Sequence, residues 1–178
     1  MLKKFLVFLL IIVAAPLVAG IYGMLHDQLT YTISPEYYTR FKFIQFGFAE
    51  EGYSTALPNT RLWVAAVGFL ATWWVGVPVG IVLGLTGLIH KESKRMLQIT
   101  ANAFLLAITA AFVTGLLGLL YGFILESPES SGWWLPAGLE NKTSFIAVGS
   151  MHNFSYFGGL TGLIAGVYYS IRLRKKGI

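Results

Sequence analysis

Apolar residues dominate four stretches of this chain, near residues 4–25, 62–89, 96–125 and 144–171, and the last three hold no charge at all. A hydrocarbon core takes about 20 helical residues to cross, so each stretch is long enough to span a membrane. The gaps between them read differently. In the first (residues 26–61), Leu29, Tyr31 and Ile33 alternate with Thr30 and Thr32, and Phe41, Phe43 and Gln45 alternate with Lys42, Ile44 and Phe46. That period of two predicts two short strands, with a turn or one-turn helix at Ser34-Pro35-Glu36. A lone hairpin is marginal in water, so this segment is expected to lie on the helix ends as a cap. The predicted fold class is therefore an all-α membrane protein: a four-transmembrane-helix bundle, one domain over residues 1–178, with a small β-hairpin-like outer cap between the first two helices. The third gap (residues 126–143) is an outer loop whose Trp133 and Trp134 mark the head-group level.

Charge orients the spans. Lys3, Lys4, Lys91, Lys94, Arg95, Arg172, Arg174, Lys175 and Lys176 fall at the N-terminus, the second gap and the C-terminus, with Glu92 the one acid among them. Arg40, Lys42, Arg61 and Lys142, and the other seven of eight acids, fall in the first and third gaps. A balance of +8 on one side and −3 on the other puts both termini in the cytoplasm. The basic residues flank spans, where they meet anionic lipid, so the bilayer and not nucleic acid is the expected partner. At 12% charged residues against roughly one-quarter in soluble domains, no second, soluble domain fits in 178 residues. The first stretch follows Met-Leu-Lys-Lys and is read as a retained helix, because its apolar run to Leu25 exceeds the h-region of a signal peptide. The absence of cysteine excludes disulfides and thiolate metal sites.

Glycine placement predicts how the helices meet. Gly76, Gly80 and Gly84 in the second helix, and Gly158, Gly162 and Gly166 in the fourth, each form a ridge at spacing four that lets backbones approach closely in lipid. The two ridges are expected to pack on each other, or one of them to drive homo-oligomerisation or entry into a larger membrane complex. GLTGLI occurs at residues 84–89 and again at 159–164, a hint of two parallel helical hairpins.

Few residues can carry chemistry. His26, Asp27, Glu36, Arg40, His152, Asn153 and Tyr156 are predicted to form a polar pocket in the outer leaflet, since polar groups at membrane depth are costly. His26 and His152 are the candidate metal ligands. With Met24 and Met151 they would suit copper, and alone they would be the two axial ligands of haem b. A third chemistry pairs a histidine with Asp27 or Glu36 as the acid and base of a lipid-modifying hydrolase or transferase. No zinc-protease, nucleophile-elbow or Walker signature supports catalysis, and no charge is expected at mid-bilayer to couple an ion to transport.

The string HDQLTYTISPEYYTRFKFIQF at residues 26–46, and within it HDQLTYTISPEYYTRFKF, resembles a block found in small bacterial membrane proteins with four predicted helices. That resemblance covers about an eighth of the chain. It implies a bacterial inner-membrane location and brings no activity or functional residue with it. The reading that follows is a non-enzymatic binding, channel-like or accessory subunit with no required cofactor. A metal- or haem-dependent redox protein is the first alternative, and the hydrolase or transferase the second.

Overall fold

A computed structural model describes residues 1–50, 57–129 and 132–175; Glu51 and Lys176 of the charge pattern, and residues 51–56 of the cap, lie outside the described residues. The elements are α1 (Leu2–Ile33), α2 (Pro35–Tyr37), a π-helical turn (Tyr38–Lys42), α3 (Phe43–Gln45), α4 (Thr60–Gly87), α5 (Ser93–Ile124) and α6 (Lys142–Lys175). Three of them, α1, α4 and α5, are long and apolar enough to cross a membrane. The fourth long helix, α6, has 34 residues but carries Ser150, His152, Asn153 and Ser155 in its first half.

The four long helices run up and down as two pairs. By far the most extensive contacts join α1 to α4 and α5 to α6, and the pairs meet each other only along thin seams. Small residues make the close seams. A Cβ on Gly68 of α4 would overlap the Gly23 carbonyl of α1, and one on Gly76 would sit 2.5 Å from Ala15 O. In the second pair a Cβ on Gly162 of α6 would lie 2.7 Å from Ala107 Cα of α5, and one on Gly122 of α5 2.5 Å from Ala147 Cα. The ridge at Gly76, Gly80 and Gly84 thus faces α1, and the ridge at Gly158, Gly162 and Gly166 faces α5. They do not pack on each other as expected. Each helix uses its ridge on its own hairpin partner.

The first outer segment also differs from expectation. Among the described residues there is no strand. Residues 29–33 are the last turns of α1, and residues 41–46 belong to the π-helical turn, α3 and its end. Thr30 and Thr32 return their hydroxyls to carbonyls one turn back, His26 O at 3.3 Å and Gln28 O at 2.9 Å, so the alternating threonines are accommodated in a helix. Thr30 is fully buried and its hydroxyl lies 2.5 Å from Tyr38 Oη. Tertiary burial of that face overrides the β-propensity of the string. The helix stops at Ser34, as the following Pro35 requires. The cap then folds as helical turns over an aromatic core of Tyr37, Tyr38, Phe43, Val64, Val67, Phe145 and Val148.

Reciprocal polar contacts tie the cap end together. Arg61 donates to Gln28 Oε1 at 3.0 Å while Gln28 donates to Arg61 O at 2.8 Å. At the opposite, basic end, Lys4 Nζ donates to Leu88 O at 2.5 Å, and His90 Nε2 lies 3.0 Å from Ser170 Oγ. Burial, and then the charges of Arg95, Arg174 and Lys4, hold the His90 imidazole below its ordinary pKa. The folded state therefore resists a proton that the unfolded chain accepts. Stability is expected to be flat above about pH 6.5 and to fall as the pH drops below it, until folded His90 also titrates. Thermal unfolding of the purified protein between pH 7.5 and 5 reads this, and His90→Gln should flatten the slope.

Candidate functional site

His26 lies inside α1, since the helix runs seven residues beyond it, and His152 lies ten residues into α6. Antiparallel packing brings the two to one level beneath the cap. Their rings meet edge to face with centroids 4.9 Å apart, leaving no room for a porphyrin plane between them. Asp27 joins them: its Oδ1 is 3.3 Å from His26 Nδ1 and 3.2 Å from His152 Nε2. His26 Nε2 is 3.2 Å from Ser155 Oγ, and His152 Nδ1 is 2.8 Å from Val148 O. His26 and Asp27 are buried, and His152 nearly so. Donor atoms of the three residues all lie within 4.8 Å of one another.

This cluster closes one end of a cavity of ≈ 350 Å³ between the two helix pairs. Both pairs line it: Tyr22 from α1, Val75 and Val79 from α4, Phe104 and Ile108 from α5, and Leu160 from α6 among others. The lining is apolar except at the cluster end, where Tyr22, Thr72, Ser155 and Tyr156 accompany the histidines and Asp27. Among the described residues, no lysine or arginine lines it. Along α4 the lining runs from Ala71 to Val82 and along α6 from His152 to Leu163, which makes the cavity about 16 Å long at about 1.5 Å per helical residue. Tyr22 Oη is buried beside Ser155, its ring 5.7 Å from that of His26.

Of the residues expected in the pocket, His26, Asp27, His152 and Tyr156 line it. Glu36 and Arg40 do other work. Both Glu36 oxygens accept main-chain N–H bonds, from Glu140 and Asn141 at 2.9 Å each, where the chain enters α6. A carboxylate there also suits the positive end of a helix dipole. Arg40 Nε lies 3.5 Å from Glu36 Oε1. Asn153 is exposed and does not line the cavity. Neither Met24 nor Met151 lines it. Tyr22 and Tyr37 were not expected at the site, though the spacing of four from Tyr22 to His26 puts both on one helix face, as the spacing of three does for His152 and Ser155. Tyr37 covers the cluster from above, stacked on His152 at 5.0 Å. Burial and then the charge of Asp27 push the Tyr37 and Tyr38 phenols well above their usual range, keeping them neutral.

The order Ser155–His26–Asp27 is that of a nucleophile, its base and an orienting acid. Acyl transfer also needs donors for an oxyanion, and Ser155 sits mid-helix, where main-chain amides bond within α6. Compared with known proteins, the chain matches no family model, no curated protein and no solved structure.

Proposed function

We propose that this is a non-enzymatic integral membrane protein that binds a single-chain amphiphile, hydrocarbon chain between the helix pairs and polar head at His26, Asp27 and His152. One observation carries the reading: a cavity apolar along its length ends in a buried polar cluster that includes the Tyr22 and Ser155 hydroxyls. Its ≈ 350 Å³ falls within the roughly 300–1,000 Å³ of small-molecule pockets, few of whose groups are polar. Such a ligand enters sideways from the lipid phase.

The reading takes α6 as a fourth span. Its contacts with α5 run from Ala147 against Gly122 to Gly166 against Ala103, so a membrane crossed by α5 also contains α6. His152 and Ser155 then face the cavity and Ser150 donates to Glu126, the tolerated arrangement, while Asn153 is exposed. The charge asymmetry favours cytoplasmic termini in a bacterial inner membrane.

Gly159 offers the test. It lines the cavity, and a Cβ there would have only Ala111 Cβ near it, at 4.0 Å. Gly159→Leu fills the space and leaves the helix seams alone. In detergent, binding of a fluorescent single-chain fatty acid is expected to weaken at least about tenfold, or about 1.4 kcal/mol, with thermal stability unchanged. Equal binding by the variant and the parent would sink the proposal.

A further inference from the structure

We infer that His26, Asp27 and His152 hold one divalent transition-metal ion of the zinc class. The inference deepens the ligand-binding reading, on whose cavity it rests, by giving the polar end a Lewis-acidic ion for an oxygen-bearing head.

Hydrogen-bond accounting leads there. His152 Nδ1 faces a main-chain carbonyl, Val148 O, at 2.8 Å, so Nδ1 carries the proton. Nε2 is then the ring atom turned to the Asp27 carboxylate, at 3.2 Å, and a metal ion held between the two would use both lone pairs. His26 Nδ1 approaches the same oxygen, Asp27 Oδ1, at 3.3 Å. Three ligand groups thus converge on one point, their donor atoms all within 4.8 Å of one another.

The spacing suits a metal. Ligand bonds of about 2.0–2.1 Å at tetrahedral angles place neighbouring donor atoms about 3.3 Å apart. The two measured edges are 3.2 and 3.3 Å. Charge points the same way. Asp27 is buried with Lys42 within electrostatic reach from the cap, and a bound cation would further offset the cost of burying its charge. Two imidazoles and one carboxylate favour borderline divalent ions such as zinc or cobalt(II) over copper(I), because neither methionine lines the cavity. Val148 O orients the His152 ring through its other nitrogen, the usual support of a metal-bound histidine. Three protein ligands leave a fourth position, which faces the cavity and its Ser155 and Tyr22 hydroxyls, open to water or to the head of a bound molecule.

The full-length protein in detergent is stripped with a chelator and titrated with zinc alone, then with cobalt(II) alone. About one equivalent of zinc is expected, and cobalt should give the intense visible bands of a tetrahedral site. His152→Ala and Asp27→Asn should each weaken zinc by more than about 100-fold, while Gly159→Leu keeps it. Absence of stoichiometric zinc, or octahedral cobalt bands, overturns the inference, as does full retention in both ligand variants. If a variant fails to fold, the cobalt spectrum of the unaltered protein decides alone. Zinc bound without fatty-acid binding overturns the ligand reading only, and fatty-acid binding without zinc overturns the metal only.

Discussion

Replacing Gly68 by leucine is expected to separate α1 from α4 and to cost more than about 3 kcal/mol, one of the two largest effects of any single substitution considered. Within lipid there is no hydrophobic gain from joining two apolar helices, so close packing and interhelical hydrogen bonds carry the association. At Gly68 the obstacle to a side chain is backbone, the Gly23 carbonyl, and backbone cannot swing aside as a flexible side chain can. Overpacking costs typically about 1–3 kcal/mol where neighbours relax, and more where they cannot. One turn along, Thr72 Oγ1 lies 2.9 Å from Ala19 O across the same seam, a hydrogen bond that separation would stretch. Gly158→Leu should do the same to α5 and α6, since its Cβ would lie 2.7 Å from Ala110 O. Gly159→Ala, one residue away but facing the cavity, should stay within about 0.5 kcal/mol. Thermal unfolding of the three variants in one detergent checks the order; a tolerated Gly68→Leu would mean that the pair does not pack this way.

The same residues show how far the fold was legible. Helix existence came from apolar runs alone, because a helix must satisfy its own backbone in lipid whatever it packs against, but α1 runs on to Ile33, past the end of its apolar run at Leu25. Partner choice did not come from those runs. The spacing of Gly76, Gly80 and Gly84 says that some backbone comes close, but not whose, and connectivity decides: α1 and α4 are hairpin neighbours, as are α5 and α6. The hairpin repeat is present in outline, since each ridge sits on the second helix of its pair. The repeated hexapeptide is out of register with it, for Gly84 meets Phe8 whereas its counterpart Gly159 faces the cavity. A short string matched by composition had no common place to occupy.

The cap was misread for a related reason. Alternation in LTYTI is a statement about two faces, and a helix buried on one side by Tyr38 and tied on the other by Arg61 satisfies those residues as well as a strand would. The candidate site was legible as residue types. Burial cost marked His26, Asp27 and His152, but their meeting depended on α1 continuing past the point where its apolar run ends. Glu36 was equally acidic, and only the fold shows it spent on the start of α6.

Tyr37→Ala is expected to give the other large effect, about 3–5 kcal/mol of stability together with exposure of His152. The cap lies beyond the apolar spans, so here burial of aromatic surface away from water does stabilise, unlike at the helix seams. Tyr37 is 4% exposed and touches Phe145 at 5.0 Å, Phe41 at 5.4 Å and His152 at 5.0 Å between ring centroids, making it the contact between cap, α6 and the polar cluster. Removing a large aromatic from such a place costs about as much as other aromatic-to-alanine changes in cores. The stacked geometry adds a specific consequence. With the ring gone, the His152 face opens toward the cap, and its reaction with diethylpyrocarbonate should quicken while that of His90, at the far end, stays unchanged. Tyr37→Phe keeps the ring and should behave as the parent in both measurements. A Tyr37→Ala protein as stable as the parent, with His152 no more reactive, would show that the cap does not seal the site.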